Sequence, residues 1–153
     1  MYATATGSSA SMFGSKNMSS VYRQIDIETG VSGASAHQLI TLLFNGALES
    51  IAKAKGGIIN REIEAKCAAI GKAVRIVDEG LKASLNMSAG GDLAEHLNAL
   101  YGYITARLTV ANLRNDVSAL DECTKLLTPI RDAWVAIAPQ GASPVRATME
   151  VRA

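Results

Sequence analysis

Proline is scarce in this chain, with three in 153 residues, and aromatic residues make up only 5%. A β-sandwich of this size draws on β-branched and aromatic side chains and on many turns, so that class is disfavoured. No excess of charge is present either. Lys and Arg total 15 against 14 Asp and Glu, a net charge of +1. A protein that works on nucleic acid usually carries a basic stripe, and none is visible, which argues against that partner. Only two cysteines occur, Cys67 and Cys123, too few and too far apart for a disulfide framework. Each falls in an apolar helical pattern and is expected to be a small buried hydrophobe. No apolar run reaches the ~18 residues of a membrane span, and no insertion into a membrane is expected. Residues 1–7 offer neither a basic n-region nor a continuous apolar h-region. The expected location is the cytoplasm.

What remains is helical in character. Hydrophobic residues make up 48% of the chain, and Ala, Leu and Ile dominate them. The length fits one domain that buries roughly 70% of its unfolded surface. Residues 1–20 are rich in Ser, Gly, Ala and Met without period and read as a flexible arm. A bundle domain is expected over 21–138. Pro139, Gly141 and Pro144 then open a flexible tail over 139–153.

Four long helices can be placed. Ser35 with Gln38 forms a capping box that starts the first, which is expected to stop near Lys55 at Gly56-Gly57. Asn60 is expected to cap the second, whose stripe is Ile63, Cys67, Ile70, Val74, Val77, Leu81 and Leu85. Asp92 with Glu95 should cap the third, which carries Leu93, Leu97, Leu100, Ile104, Leu108 and Ala111. Asn115-Asp116 gives a tight turn and the last cap, before Val117, Leu120, Thr124, Leu127, Ile130, Trp134 and Ile137. Pro129 lies inside that helix and should kink it near Lys125 to Thr128. The expected architecture is all-α, an antiparallel four-helix up-and-down bundle with a short N-terminal helix or arm.

Two helices carry more apolar surface than a bundle needs. The first has its core stripe (Ile40, Leu43, Ala47, Ile51, Ala54) and a second one, Leu39, Leu42 and Gly46. The third adds Ala99, Tyr103, Ala106, Val110 and Leu113 at three-and-four spacing. Burial under the N-terminal segment would explain the excess. An exposed groove for amphipathic partner helices explains it better, with Leu43 and Arg107 placed beside these residues. Arg107 and Asn112 would then either meet polar groups of a partner or bridge within the bundle. Tyr101 and Tyr103 should face opposite ways, one inward and one outward.

Catalytic chemistry finds little support. A histidine phosphotransfer bundle is the rival class, but His37 is followed by Gln-Leu-Ile-Thr, with no Lys or Gly to admit phosphate. No Glu precedes His37 or His96 by three residues, so a di-iron site is not expected. No phosphate loop or nucleophile elbow occurs, and no cofactor is implied. A generic helical adaptor is the other alternative.

The same residues carry a family resemblance. Ser35-Ala36-His37-Gln38-Leu39-Ile40 followed by Leu43-Phe44-Asn45-Gly46-Ala47-Leu48 is similar to the opening helix of the flagellin-specific export chaperones. Leu97-Asn98-Ala99-Leu100-Tyr101-Gly102-Tyr103, Arg107-Leu108 and Ala111-Asn112 resemble their third segment, and Arg131-Asp132-Ala133-Trp134 their closing motif. Val21-Tyr22 resembles the aromatic element before their bundle. The resemblance implies a cytoplasmic chaperone without catalysis. It would hold the disordered C-terminal segment of flagellin, block premature polymerisation and deliver its cargo to the flagellar type III export gate. It also implies a plug around Tyr22 and Ile25 that occupies the groove when flagellin is absent.

Overall fold

The computed structural model describes residues 35–138, so the arm, the plug residues Tyr22 and Ile25 and the tail lie outside the described residues. Four helices and no strand occur among them. Helix α1 spans Ala36–Ile59, and α2 spans Ile63–Arg75 and continues as a π-helical stretch over Ile76–Lys82. Helix α3 spans Met87–Arg114 and α4 spans Val117–Ala136. Each of α1 and α3 packs against both α2 and α4, so α1 and α3 stand diagonally across the bundle.

The first helix starts where local chemistry places it. The Gln38 amide donates to the Ser35 hydroxyl at 3.2 Å, and the Ser35 amide donates to Gln38 Oε1 at 2.9 Å. It does not stop at Gly56-Gly57 but runs on to Ile59, with Asn60 as its C-cap rather than as the cap of α2. The glycines serve packing instead. A Cβ on Gly57 would lie 2.9 Å from the Lys66 backbone nitrogen, so α2 sits directly on that glycine. Arg61, at φ 60, makes the left-handed turn between the two helices.

This approach sets the phase of α2. Lys66, Ala69, Ile70 and Ala73 face inward, whereas Ile63 is 63% exposed and Cys67 is exposed. The expected stripe therefore fails over the first turns of α2 and holds from Ile70 onward. Lys66 is buried with its charge met: Nζ donates to the Asn112 carbonyl at 2.9 Å and to Asn115 Oδ1 at 2.7 Å. The lysine thus ties α2 to the α3–α4 turn. That turn forms as expected, with Asn115 left-handed at φ 52 and Asp116 Oδ1 accepting from the Ala119 amide at 3.2 Å. Further along α2, Gly80 lies under Leu43, where a Cβ would meet both Leu43 methyls at 3.0 Å. The π-helical stretch is centred on this contact.

Helix α3 begins six residues earlier than the Asp92 cap expected from its sequence would place it. Asn86 caps it by accepting from the Ala89 amide at 3.0 Å. Gly91, at φ 57 and ψ −137, then breaks the helix where Gly90-Gly91 signals a break, and only glycine tolerates those angles readily. Helix α4 continues as one element through Pro129, which is exposed. The carbonyl that loses its partner is that of Lys125, itself on the solvent face, where water can satisfy it.

The core is one apolar cluster. Leu43, Ile51, Ile70, Leu81, Ile104, Leu108, Leu120 and Leu127 are its larger fully buried members, with alanines between them. Cys123 is fully buried, and burial pushes its thiol up to about 11. We therefore expect a maleimide at neutral pH to modify Cys67 alone, with Cys123 reacting only after denaturation. Mass spectrometry of the native and unfolded protein checks this, and rapid native labelling of Cys123 would contradict it. The glycine pair yields a second prediction. Gly56→Ala meets open space and should stabilise the fold by ~0.5–1 kcal/mol. Gly57→Ala must push α2 away and should destabilise it by ~1–3 kcal/mol. Thermal melts of the two variants should move in opposite directions.

Candidate functional site

The bundle is closed at the end where Lys66 and Asn115 meet and open at the other. There the four helices enclose a cleft of about 610 Å³. Ile40 and Phe44 come from α1, Leu81 from the end of α2 and Leu85 from the turn that follows it. Leu93, Leu97 and Tyr101 come from the start of α3, with Ile130, Trp134 and Ile137 from the end of α4. The walls are almost wholly apolar, which fits a ligand that brings hydrophobic side chains. Leu93 is 67% exposed and Ile137 66%, although both continue core stripes. Their stripes run past the last layer of the core and end at the rim. Burial of Tyr101 pushes its phenol up to about 12, so the hydroxyl stays protonated at neutral pH.

One edge of the cleft is fastened. The rings of His37 and Trp134 stack at 4.5 Å, 9° from parallel. His37 Nε2–H donates to the Trp134 carbonyl at 2.8 Å, and Trp134 Nε1–H donates to the His37 carbonyl at 3.1 Å. The start of α1 and the end of α4 are thereby joined, and Arg131 adds a hydrogen bond to Asn45 Oδ1 at 2.9 Å. His37 acts here as a packing and hydrogen-bonding residue at the helix start, as its position suggests. Trp134 is half-buried at the cleft rather than enclosed in the core.

The residues expected to form a groove are not brought together as one trough. On α1, Leu39, Leu42 and Gly46 are half-buried, while Leu43 is fully buried in the core and offers no side chain to a partner. On α3, Ala99, Ala106 and Leu113 are exposed, Val110 is half-buried and Tyr103 is 45% exposed. The two stripes lie on helices that face each other diagonally, so they are separate surfaces of the bundle. Tyr101, by contrast, is inward at 3% exposure, so the two tyrosines do divide as expected.

A polar cluster interrupts the α3 stripe. The Tyr103 hydroxyl donates to Glu122 Oε2 at 2.5 Å and Arg107 Nε donates to Glu122 Oε1 at 2.8 Å. The Tyr103 hydroxyl and the Arg107 guanidinium hold the Glu122 carboxyl below the ordinary carboxylate range. Arg107 thus does bridge within the bundle, through one nitrogen. Asn112 gives its carbonyl to Lys66 and its side-chain oxygen to the Cys67 thiol at 3.5 Å.

Sequence reasoning places the α3 stripe but misses the cleft. The available signal is the overrun of three apolar stripes, at Leu85, Leu93 and Ile137, beyond the length the core needs. Among the described residues no helix is long and apolar enough to cross a membrane, and no group of three His, Cys, Asp or Glu could hold a metal ion.

Comparison with known proteins shows the family to which the chain belongs. The chain is 43% identical to the flagellar secretion chaperone FliS of Salmonella typhimurium over 119 residues, 78% of this chain and 88% of that protein. It is 44% identical to the flagellar secretion chaperone FliSB of Pseudomonas aeruginosa over 113 residues, 74% of this chain and 89% of the relative. The FliS protein of Escherichia coli K12 is 41% identical over 113 residues, covering 74% and 83%. The family model described as flagellar protein FliS matches residues 18–141, so this chain belongs to the FliS family of flagellar export chaperones, which are not enzymes.

Proposed function

We propose that this chain is a cytoplasmic chaperone that binds the disordered C-terminal segment of flagellin and assists its delivery to the flagellar type III export gate. The observation that carries the reading is the apolar cleft walled by all four helices. A segment that folds on binding spends ~2–5 kcal/mol on ordering and buries ~1,000–3,000 Å² to offset it. One cleft of about 610 Å³ is too small a surface for that alone. The cleft together with the half-buried α1 stripe and the exposed α3 stripe provides it. Because the two stripes lie on diagonal helices, the bound segment wraps round the bundle instead of lying in a single trough. Covered in this way, the apolar C-terminal segment is unavailable for polymerisation.

The cleft also has a second occupant in the free protein. Both ends of the described chain leave from its rim, next to Ile40 and at Ile137. Ile25 lies ten residues before Ser35, a reach of up to ~33–36 Å, and Tyr22 three residues further. The mixed stretch around them, with Val21, Tyr22, Ile25 and Ile27 as its apolar residues, can fold back as a plug and leave when flagellin arrives.

Three variants separate folding from binding. Leu108 is fully buried, and Leu108→Ala should cost ~2–5 kcal/mol of stability. Ala133 is exposed on the cleft wall, so Ala133→Glu should melt within ~0.5 kcal/mol of the parent. Val110→Glu should also fold, since Val110 is only half-buried. Both glutamates would bury an unpaired charge against an apolar segment, and calorimetric titration with a flagellin C-terminal peptide should show strongly weakened binding. If Ala133→Glu binds at full strength, the cleft is not the site. If the unaltered chain fails to bind the peptide, flagellin is not the partner.

A further inference from the structure

We infer that Arg107 is a register-setting contact for the bound helix, donating from its terminal amino groups to the backbone carbonyls of that helix's last turn. The inference rests on the proposed reading that a helical segment lies along the α3 stripe. Arg107 contributes only Nε to the Glu122 bridge, and Glu122 Oε2 is taken by Tyr103. Nη1 and Nη2 have no hydrogen-bond partner among the described residues. The side chain is 27% exposed and rises between Tyr103 and Val110, one turn from each on the apolar stripe. A purely apolar partner laid over this stripe would strand two donors away from water, at a severe cost in affinity. An occupant of the stripe must therefore bring acceptors to this point.

The charge already present selects the kind of acceptor. Glu122 neutralises Arg107 through a direct bridge, and Asp116 adds a second carboxylate nearby. One cation against two carboxylates already leaves the cluster negative, and a further carboxylate from the partner would add to that excess. Neutral carbonyls do not. A helix ends with four carbonyls lacking intrahelical partners, and a planar fork of N–H donors suits them better than a lysine ammonium. Glu122 positions this fork, because its two oxygens hold the guanidinium at one end and the tyrosine hydroxyl at the other. Tyr103 and Glu122 are thus positioning residues, and Arg107 makes the contact.

The test is calorimetric titration of the full chain with a flagellin C-terminal peptide, at low and at high salt. Arg107→Lys keeps the charge but loses the fork, and should weaken binding about ten- to a hundred-fold with the melting temperature nearly unchanged. The loss should be similar at both salt concentrations, since the partner groups are neutral. Glu122→Gln removes the bridged carboxylate and leaves the guanidinium less firmly aimed, so binding should weaken and become salt-dependent. Full-strength binding by Arg107→Lys overturns the inference while leaving the flagellin reading intact. A loss on Arg107→Lys that disappears at high salt also overturns it, in favour of a partner carboxylate. No binding by the unaltered chain overturns the flagellin reading, and this inference with it.

Discussion

Helix α2 lies hard against α1 because two glycines leave no side chain between them. Gly57 receives the backbone of Lys66, and Gly80 receives the isobutyl group of Leu43. These two contacts, near opposite ends of α2, fix its distance, its rotation and its extent along α1. The rotation turns Lys66 inward, where it would be a costly buried charge without acceptors. Asn112 and Asn115 supply them, and the α3–α4 turn is consequently drawn onto the start of α2. The second contact holds Leu81 in the last core layer, and α2 ends a few residues later. The closed end and the length of the core follow from the same pair of glycines.

Beyond that last layer the helices have apolar faces with nothing between them. Irregular backbone gathers there: the Asn86 cap, the Gly91 break and the end of α4 after Pro129. The His37–Trp134 stack keeps α1 and α4 together without filling the space, since Trp134 lines the wall and His37 stacks on it from outside the lining. An apolar hollow in a bundle with a complete core adds nothing to folding, and its cost is offset when a ligand enters. The division into a stapled end and an open end is what the chaperone reading draws upon. On the proposed reading, cargo is taken up at the open end while the core residues, such as Ile70 and Leu127, stay packed.

How much of this the sequence reveals depends on how local the cause is. The Ser35–Gln38 capping box and the Asn115–Asp116 turn are contacts within four residues, and both are legible. Tyr101 and Tyr103 divide between core and surface because their spacing on a helix requires it. Asn60, Ile63 and Cys67 mislead because the phase of α2 is set by its contact with α1, not by its own apolar pattern. Gly56-Gly57 mislead for the same reason, since a glycine that admits a neighbouring helix has the same sequence signature as one that ends a helix. The cleft is least legible of all. It is a property of four helix ends converging, and the overrun at Leu93 and Ile137 reads in one dimension as more core.

The α3 face joins these two scales. Apart from Leu113 at its end, its exposed residues are small or only partly apolar, and a smooth apolar stripe of this kind offers little that fixes the position of a partner along it. Small residues at Ala99 and Ala106 let a second helix approach closely but tolerate sliding by a turn. The Tyr103–Glu122–Arg107 bridge breaks that uniformity at one point, and it is built across α3 and α4 so that neither helix alone can move it. A polar point whose donors are only partly used penalises every register that leaves them covered and unmet. Apolar area then supplies the attraction and the unmet donors supply the selection. On the proposed reading, a bundle with a low aromatic content and almost no net charge can in this way hold an otherwise disordered segment in one alignment.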